Sequence, residues 1–297
     1  MEPLPFTEGF APFGPLETWY RITGDLESEI PPLVVVHGGP GMSHDYLVSL
    51  AELSRDGRPV IHYDQVGGGR STHAPEKDPQ FWTPKLFVDE LDNLLYFLGI
   101  ADEFDLLGQS WGGMLAAEYA VTKPRGLRRL IISNSPASMP LWIEAANELR
   151  SNLPADVRAT LFTHEQDGTT DHPNYLAATQ EFYDRHVCRV IPNPPELTAT
   201  TEQMLDDPTV YFTMNGPNEF HCIGSLKDWT IIDRLHQITV PTLVLSGAFD
   251  EAQPRCVEPY VSEIAQSTWV VFEASSHTPF LEEPEAYLAT VSEFLAD

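Results

Sequence analysis

The chain has 297 residues, of which 42% are hydrophobic and 21% charged, values ordinary for a soluble globular protein of one or two domains. Its 44 acidic residues outnumber 17 Lys and Arg, and the formal charge of −27 argues against binding to nucleic acid or an anionic membrane. The first residues lack the pattern of a signal peptide, and no apolar run approaches the ~20 residues of a membrane span. Three widely spaced cysteines predict neither a disulfide framework nor a zinc site. We therefore expect a cytoplasmic protein.

Short apolar runs alternate with helical patterns in the first half of the chain, which is typical of βαβ units and a mostly parallel sheet. A first strand is predicted around residues 18–23. Four buried strands are predicted at residues 33–37, 60–63, 104–107 and 130–133, and each is followed by Gly, Asn or Asp. A stripe of apolar residues at helical spacing predicts a helix packed on the sheet, and it consists of Phe87, Leu91, Leu94, Leu95 and Leu98.

The pattern changes after residue 135. Helical stretches and Pro-rich loops fill residues 136–235 without an evident buried strand, which predicts an inserted helical cap domain. The alternation resumes with predicted strands at 241–247 and 268–272, a helix at 257–266 and a last helix with Tyr287, Val291 and Phe294 on one face. We therefore expect one core domain made of residues 1–135 and 236–297.

The central chemical signal is the segment Gly108-Gln109-Ser110-Trp111-Gly112-Gly113, between a predicted strand and a predicted helix over 114–121. It fits the G-x-S-x-G nucleophile elbow, in which glycines permit a sharp turn that exposes the serine at a helix N-terminus. Because the strand and the helix lie where the motif requires them, Ser110 is predicted to be a nucleophile.

A serine nucleophile needs a base and an orienting acid, which follow in the order Ser, Asp or Glu, His in this arrangement. Asp250 comes directly after the predicted strand at 241–247, and His277 after the strand at 268–272. Both side chains are expected at the sheet edge that carries Ser110. The prediction is a Ser110, Asp250 and His277 triad.

The reaction also needs an oxyanion hole of two backbone N–H groups. The segment His37-Gly38-Gly39-Pro40-Gly41 follows a predicted strand and offers backbone with little side-chain obstruction. We predict Gly39 as one donor, in preference to Gly38, and Trp111, the residue after the nucleophile, as the other.

These segments resemble the α/β-hydrolase superfamily and, more narrowly, the prolyl aminopeptidase (proline iminopeptidase) family, close to its tricorn-interacting aminopeptidase branch. The fold class expected from the resemblance is an α/β-hydrolase fold with an inserted helical cap. The matching stretches span nearly the whole chain, and they are HGGPG at 37–41, DQVGGGRS at 64–71, GQSWGG at 108–113, MNGPNEF at 214–220, GAFDE at 247–251 and SSHTPFLEEPE at 275–285.

The resemblance implies a serine aminopeptidase that releases an N-terminal proline or other small, apolar residue from short peptides or amino-acid amides. It also implies that Glu219 and Glu251 bind the amino terminus of the substrate, a role that suits carboxylates because an exopeptidase must recognise one positive charge. No metal or organic cofactor is expected. The expected partners are the peptide or amide substrate and, for a small homo-oligomer, further copies of the chain; a monomer is equally consistent.

Two other functions remain open on the sequence. The same triad could hydrolyse another small ester, amide or lactone without recognising a free amine. A non-catalytic receptor or scaffold could also keep the fold, since fold alone does not establish function. Epoxide hydrolases and haloalkane dehalogenases place an aspartate at the elbow, and Ser110 argues against both.

Overall fold

The computed structural model of the chain describes residues 4–296, and eight strands in this range form a single sheet. The strands are β1 (Phe6–Phe13), β2 (Leu16–Thr23), β3 (Leu33–Val36), β4 (Val60–Tyr63), β5 (Phe104–Gln109), β6 (Leu127–Ser133), β7 (Thr242–Gly247) and β8 (Ser267–Phe272). Their order in the sheet is β1-β2-β4-β3-β5-β6-β7-β8. The pairs β1–β2 and β2–β4 are antiparallel, and every other pair is parallel.

Ten α-helices lie in the described range, together with 3₁₀ segments at Asp45–Asp56, Pro79–Phe81 and Ile232–Gln237. The helices are α1 (Pro84–Phe97), α2 (Trp111–Ala120), α3 (Met139–Ser151), α4 (Ala155–Asp167), α5 (Pro173–His186), α6 (Pro195–Asp206), α7 (Thr209–Met214), α8 (Pro254–Glu263), α9 (Pro279–Glu282) and α10 (Pro284–Ala296). None of them, within residues 4–296, combines the length and apolar character needed to cross a membrane.

The central strands are runs of Val, Ile and Leu because helices cover both faces of the sheet. All four residues of β3 are buried, and successive ones pack on opposite faces: Val34 and Val36 join one apolar cluster, Leu33 and Val35 the other. Helix α1 begins at the Thr83 cap, whose hydroxyl accepts a hydrogen bond from Leu86 N–H. Its predicted stripe is buried on the sheet at Phe87, Leu91, Leu94 and Leu95.

Strand β1 is not predicted from the sequence, which places the first strand at residues 18–23. It is an edge strand with only Ala11 fully buried, and Phe6 and Phe10 are about half exposed, so no apolar alternation marks it. It pairs with β2 through a two-residue turn at Gly14-Pro15, where Gly14 has φ of 60°. A glycine at the first central turn position is a hairpin signal that could have identified the strand.

Between β6 and β7 the chain forms α3 to α7, and this segment has an apolar cluster of its own around Leu161, Tyr175, Phe182 and Phe220. The helical character of the segment agrees with the expected cap. Its treatment as a separate domain with bounds at 136 and 235 stays a prediction.

The parallel strands end at one edge of the sheet, where ligands bind in open α/β sheets. The segments that carry Gly39, Ser110, Asp250 and His277 follow β3, β5, β7 and β8 at this edge. The fold therefore brings the four predicted segments together.

Candidate active site

Ser110 lies at the turn between β5 and α2 in a backbone conformation with φ of 56° and ψ of −124°, which non-glycine residues rarely adopt. The turn is possible because the neighbouring glycines allow close approach: a Cβ at Gly108 would collide with the Gly112 carbonyl, and one at Gly112 with the Val36 carbonyl. The Ser110 N–H donates a 2.9 Å hydrogen bond to Ser133 O, which ties the turn to β6. Ser110 is half-buried although Gln109 and Trp111 beside it are buried, so its side chain is presented to the site.

Asp250 and His277 are in direct contact, with 2.8 Å between Asp250 Oδ1 and His277 Nδ1. Asp250 is itself fixed by two donors, the Asn134 side-chain amide at 2.6 Å to Oδ2 and the Ala252 N–H at 2.8 Å to Oδ1. The same amide also donates to Ser276 O at 3.2 Å. A carboxylate held in this way fixes both the orientation of the imidazole ring and the proton on Nδ1.

Burial alone would lower the pKa of His277, but the charge of Asp250 and its hydrogen bond outweigh burial, and the pKa of His277 is raised. Glu219 and Glu282 add to the rise. An imidazole in these surroundings is a better proton acceptor than a free one.

Gly39, Ser110 and Trp111 line one pocket, as the prediction for the oxyanion hole requires. In residues 4–296 neither the Gly39 nor the Trp111 N–H donates a hydrogen bond to another protein group. The Gly38 N–H, in contrast, donates to the Tyr46 hydroxyl at 2.7 Å. The geometry therefore favours Gly39 over Gly38 as a donor to substrate.

Glu219 and Glu251 both lie at the site and are close enough to influence one another. Glu251 Oε1 is 3.9 Å from His277 Nε2, and Glu219 lines the pocket that contains Ser110. The Tyr211 hydroxyl donates to Glu219, whereas neither carboxylate oxygen of Glu251 has a hydrogen-bond partner among the described residues. Glu251 is completely buried, and burial of a carboxylate without a hydrogen-bond partner lowers the stability of the folded protein.

The same environment shifts the protonation of both carboxyl groups. Burial raises the pKa of Glu251 well above its usual range, and the charges of Glu219 and Asp250 add to the rise. Burial also raises the pKa of Glu219, against the hydrogen bond from Tyr211 and the charge of His277. A positive charge placed between the two carboxyl groups would favour their ionised forms and lower both pKa values.

The rest of the pocket is mainly apolar and is formed by both the sheet edge and the helical segment. Trp142 connects the two, because its Nε1–H donates to Glu219 O at 2.7 Å and its ring lies edge-on to His277 with centroids 5.7 Å apart. The remaining side chains that line the pocket are Pro40, Met114, Pro136, Met139, Asn215 and Leu226.

Three further residues lie at the site and are not among those predicted from the sequence, and they are Asn134, Tyr46 and Trp142. Asn134 directly follows β6 and has φ of 52°, and a polar residue at the carboxyl end of a buried strand was a usable signal. Tyr46 lies in the 3₁₀ segment and Trp142 in α3, and no motif distinguishes either from a core aromatic.

The chain is similar to a known family and to solved structures. The family model for the alpha/beta hydrolase fold matches residues 31–284. Proline iminopeptidase of Lactobacillus helveticus is 38% identical over 290 residues, 97% of each chain. The crystal structure of proline iminopeptidase from Mycobacterium smegmatis is 52% identical, covers 98% of both chains and superimposes with a TM-score of 0.91. The crystal structure of VinJ is also 52% identical, covers 99% of both chains and has a TM-score of 0.97.

These similarities extend over almost the entire chain. The nucleophile elbow, the acid–imidazole contact and the glycine-rich turn after β3 lie together at one sheet edge, as the α/β-hydrolase fold requires. The chain therefore belongs to the proline iminopeptidase family of the α/β-hydrolases and is a hydrolase of the aminopeptidase class.

Proposed function

We propose that the protein is a serine aminopeptidase that releases a small, apolar N-terminal residue, proline included, from short peptides or amino-acid amides. The observation that carries the proposal is the pair of carboxylates near His277, of which Glu251 is completely buried and Glu219 half-buried. Glu251 has no hydrogen-bond partner among residues 4–296, and its pKa is raised partly by the charge of Glu219. The free ammonium of an N-terminal residue supplies a positive charge to both carboxylates and the hydrogen-bond donors that Glu251 lacks.

In the proposed reaction His277 Nε2 takes the proton of Ser110 Oγ as this oxygen attacks the carbonyl carbon of the first residue. Asp250 keeps the other imidazole nitrogen protonated and oriented through its contact of 2.8 Å. The N–H groups of Gly39 and Trp111 stabilise the negative charge that forms on the carbonyl oxygen.

His277 then donates its proton to the leaving amine, and the first residue stays attached to Ser110 as an ester. Water, deprotonated by the same imidazole, hydrolyses this acyl-enzyme and releases the amino acid. Glu219 and Glu251 hold the ammonium throughout, so they fix the distance between the amino terminus and the carbonyl that Ser110 attacks.

The lining of the pocket supports an apolar first residue. Met114, Met139, Trp142 and Leu226 line it with apolar surface, and Pro136 adds a rigid wall. These side chains offer no partner for a charged or strongly polar side chain, so discrimination by hydrophobic contact and volume is expected.

The test is hydrolysis of chromogenic amides of proline, alanine, leucine and lysine, each with its N-acetylated twin, by wild type and Ser110→Ala. We expect activity only on free-amine substrates, highest for the small apolar residues, and loss of activity in Ser110→Ala by about a millionfold. Equal cleavage of the acetylated twins would instead favour an ester, amide or lactone hydrolase without amine recognition. Full activity in Ser110→Ala would contradict the proposed mechanism, in which Ser110 is the nucleophile.

A further inference from the structure

One side-chain hydroxyl connects the three segments that make up the proposed catalytic site. The Gly38 N–H donates to Tyr46 Oη at 2.7 Å, and Tyr46 Oη–H donates to Gln109 Oε1 at 2.6 Å. The bond from Tyr46 fixes the orientation of the Gln109 amide, and its Nε2 donates to His277 O at 3.2 Å. We name this chain of hydrogen bonds, from Gly38 through Tyr46 and Gln109 to His277, the Tyr46 relay.

Each end of the Tyr46 relay is adjacent to a group that the mechanism uses. Gly38 precedes Gly39, Gln109 precedes Ser110, and the carbonyl at the far end belongs to His277 itself. Tyr46 is distant from all of them in the sequence except Gly38, so the tertiary fold brings it to this position. Loss of a hydrogen bond in the relay is therefore expected to change the positions of the oxyanion donor, the nucleophile and the base together.

The relay is buried, and this makes its hydrogen bonds strong and their loss costly. Tyr46 is 3% exposed and Gln109 is 1% exposed. The space around Gly38 is equally restricted, because a Cβ there would lie 2.9 Å from Tyr46 Oη and Gln109 Oε1 and 3.0 Å from Ser110 Cβ. Burial also raises the pKa of Tyr46, so its hydroxyl keeps the proton that it donates to Gln109.

We propose that Tyr46 is a positioning residue of the reaction. Its hydroxyl fixes the position of the Gly39 N–H relative to Ser110 and His277. This inference rests on the proposed function, in which these groups do the chemistry. Without the hydroxyl, Gly38 N–H and Gln109 Oε1 both lose their partner, and the glycine-rich turn can rotate to satisfy Gly38 elsewhere. Rotation of this turn misdirects the neighbouring Gly39 N–H.

The experiment compares Tyr46→Phe with Tyr119→Phe as a matched control. Tyr46→Phe removes only the hydroxyl and keeps the ring, whose centroid lies 5.8 Å from the ring centroid of Phe280. Tyr119 is also buried and donates to the Asp92 side chain at 3.1 Å, away from the site. Active enzyme is counted in each preparation by covalent labelling of Ser110 with a fluorophosphonate, so partial unfolding does not enter kcat.

We expect Tyr46→Phe to lower kcat per labelled site by about 10- to 100-fold, the range that follows loss or displacement of one oxyanion donor, with KM within about twofold. Tyr119→Phe is expected to keep wild-type kcat even if it is less stable. A wild-type kcat in Tyr46→Phe, or equal reductions in the two variants, would overturn the inference.

Gln109→Met provides a second, independent approach, since it removes both side-chain hydrogen bonds of Gln109 at nearly constant volume. If the relay acts as one unit, the double variant Tyr46→Phe/Gln109→Met loses no more kcat than the more damaged single variant. Losses that multiply would contradict a common relay. An active Ser110→Ala would reject the proposed function itself, whereas an inactive Ser110→Ala with unaffected Tyr46→Phe would reject the relay alone.

Discussion

The burial of Glu251 does not contribute to the stability of the fold. Glu251 is completely buried, accepts no hydrogen bond within residues 4–296 and lies near the charges of Glu219 and Asp250. Burying an unpaired carboxylate destabilises a protein, and natural proteins retain such groups mainly at functional sites. A substrate ammonium is the simplest group that would justify its position.

The raised pKa of Glu251 predicts how the free energy of unfolding changes with pH. Its folded pKa is raised above the unfolded value of about 4.3, so the folded protein binds the proton more tightly. Wild type and Glu251→Gln should therefore be similarly stable below about pH 4. As pH rises from there towards the raised pKa, wild type should lose stability relative to the variant, by at most about 1.4 kcal/mol per pH unit.

The measurement is urea unfolding of wild type and Glu251→Gln at several pH values, with the exposed Glu258→Gln as control. The control should show no pH-dependent difference. A Glu251→Gln variant that becomes less stable than wild type as pH rises would mean that the carboxylate is paired in the folded state.

The residues proposed for the chemistry are easier to predict from the sequence than the residues that contact them. Ser110, Asp250 and His277 could be predicted because the elbow motif and the order of strand ends restrict where they occur. The partners of Asp250 and Gly38 could not, because Asn134 and Tyr46 are separated from them by the fold and carry no local pattern. Contacts of this kind depend on tertiary packing.

At the scale of elements, the nucleophile elbow depends on the close approach of β5, α2 and β3. Gly112 lies against the backbone of β3, and any Cβ there would meet the Val36 carbonyl. The strand predictions were accurate at β3 and β4 because buried parallel strands are continuous apolar runs. They do not include β1, where five of the eight residues are exposed and the hairpin turn is the strong signal.

We expect Gly112→Ala to force α2 away from β3, with a loss of about 2–3 kcal/mol in the free energy of unfolding. The folded fraction should also react more slowly, because Ser110 moves with the start of α2. Urea unfolding and kcat per fluorophosphonate-labelled site measure the two effects.

Gly99→Ala is the control for backbone strain alone. Gly99 has φ of 70° but open space around its Cα, so only the left-handed conformation opposes the substitution, at a cost of about 1 kcal/mol. The Gly99→Ala enzyme should keep wild-type kcat. If Gly112→Ala were no more damaging than Gly99→Ala in either measurement, the elbow would not depend on the close approach of Gly112 to β3.

At the scale of the whole molecule, the helical segment between β6 and β7 shares an apolar cluster with the sheet and also makes polar contacts to the sheet part of the protein. His73 Nδ1 lies 2.7 Å from Asp207 Oδ2, and His73 Nε2 lies 3.0 Å from Gly69 O. Both partners of the ring are acceptors, so both nitrogens must carry protons. Burial lowers the pKa of His73, but these hydrogen bonds and the charges of Asp207 and Asp64 outweigh it and raise the pKa.

A raised histidine pKa contributes stability that is complete below the unfolded pKa of about 6.5 and is lost as pH rises through the folded pKa. Wild type should therefore exceed His73→Gln in stability at pH 6, and the excess should vanish at pH 9. Since the His73 side chain is 34% exposed, solvent screening limits the excess to about 0.5 kcal/mol.

Thermal unfolding at pH 6 and pH 9 measures this difference, with the exposed His236→Gln as a control for removal of a histidine. An excess that persists unchanged at pH 9 would show that His73 contributes by packing and not as a cation.

Recognition of the substrate amine is tested most directly by kcat/KM for alanine and proline chromogenic amides in wild type, Glu219→Gln, Glu251→Gln and the control Glu258→Gln. Removing one partner of a buried charge pair costs about 2 kcal/mol or more, so each site variant should lose about 30-fold or more, mainly through KM. Labelling of Ser110 by a fluorophosphonate, which has no amine, should stay within about twofold. Unchanged kcat/KM in both site variants, or equal loss in the control, would contradict recognition of the substrate amine by Glu219 and Glu251.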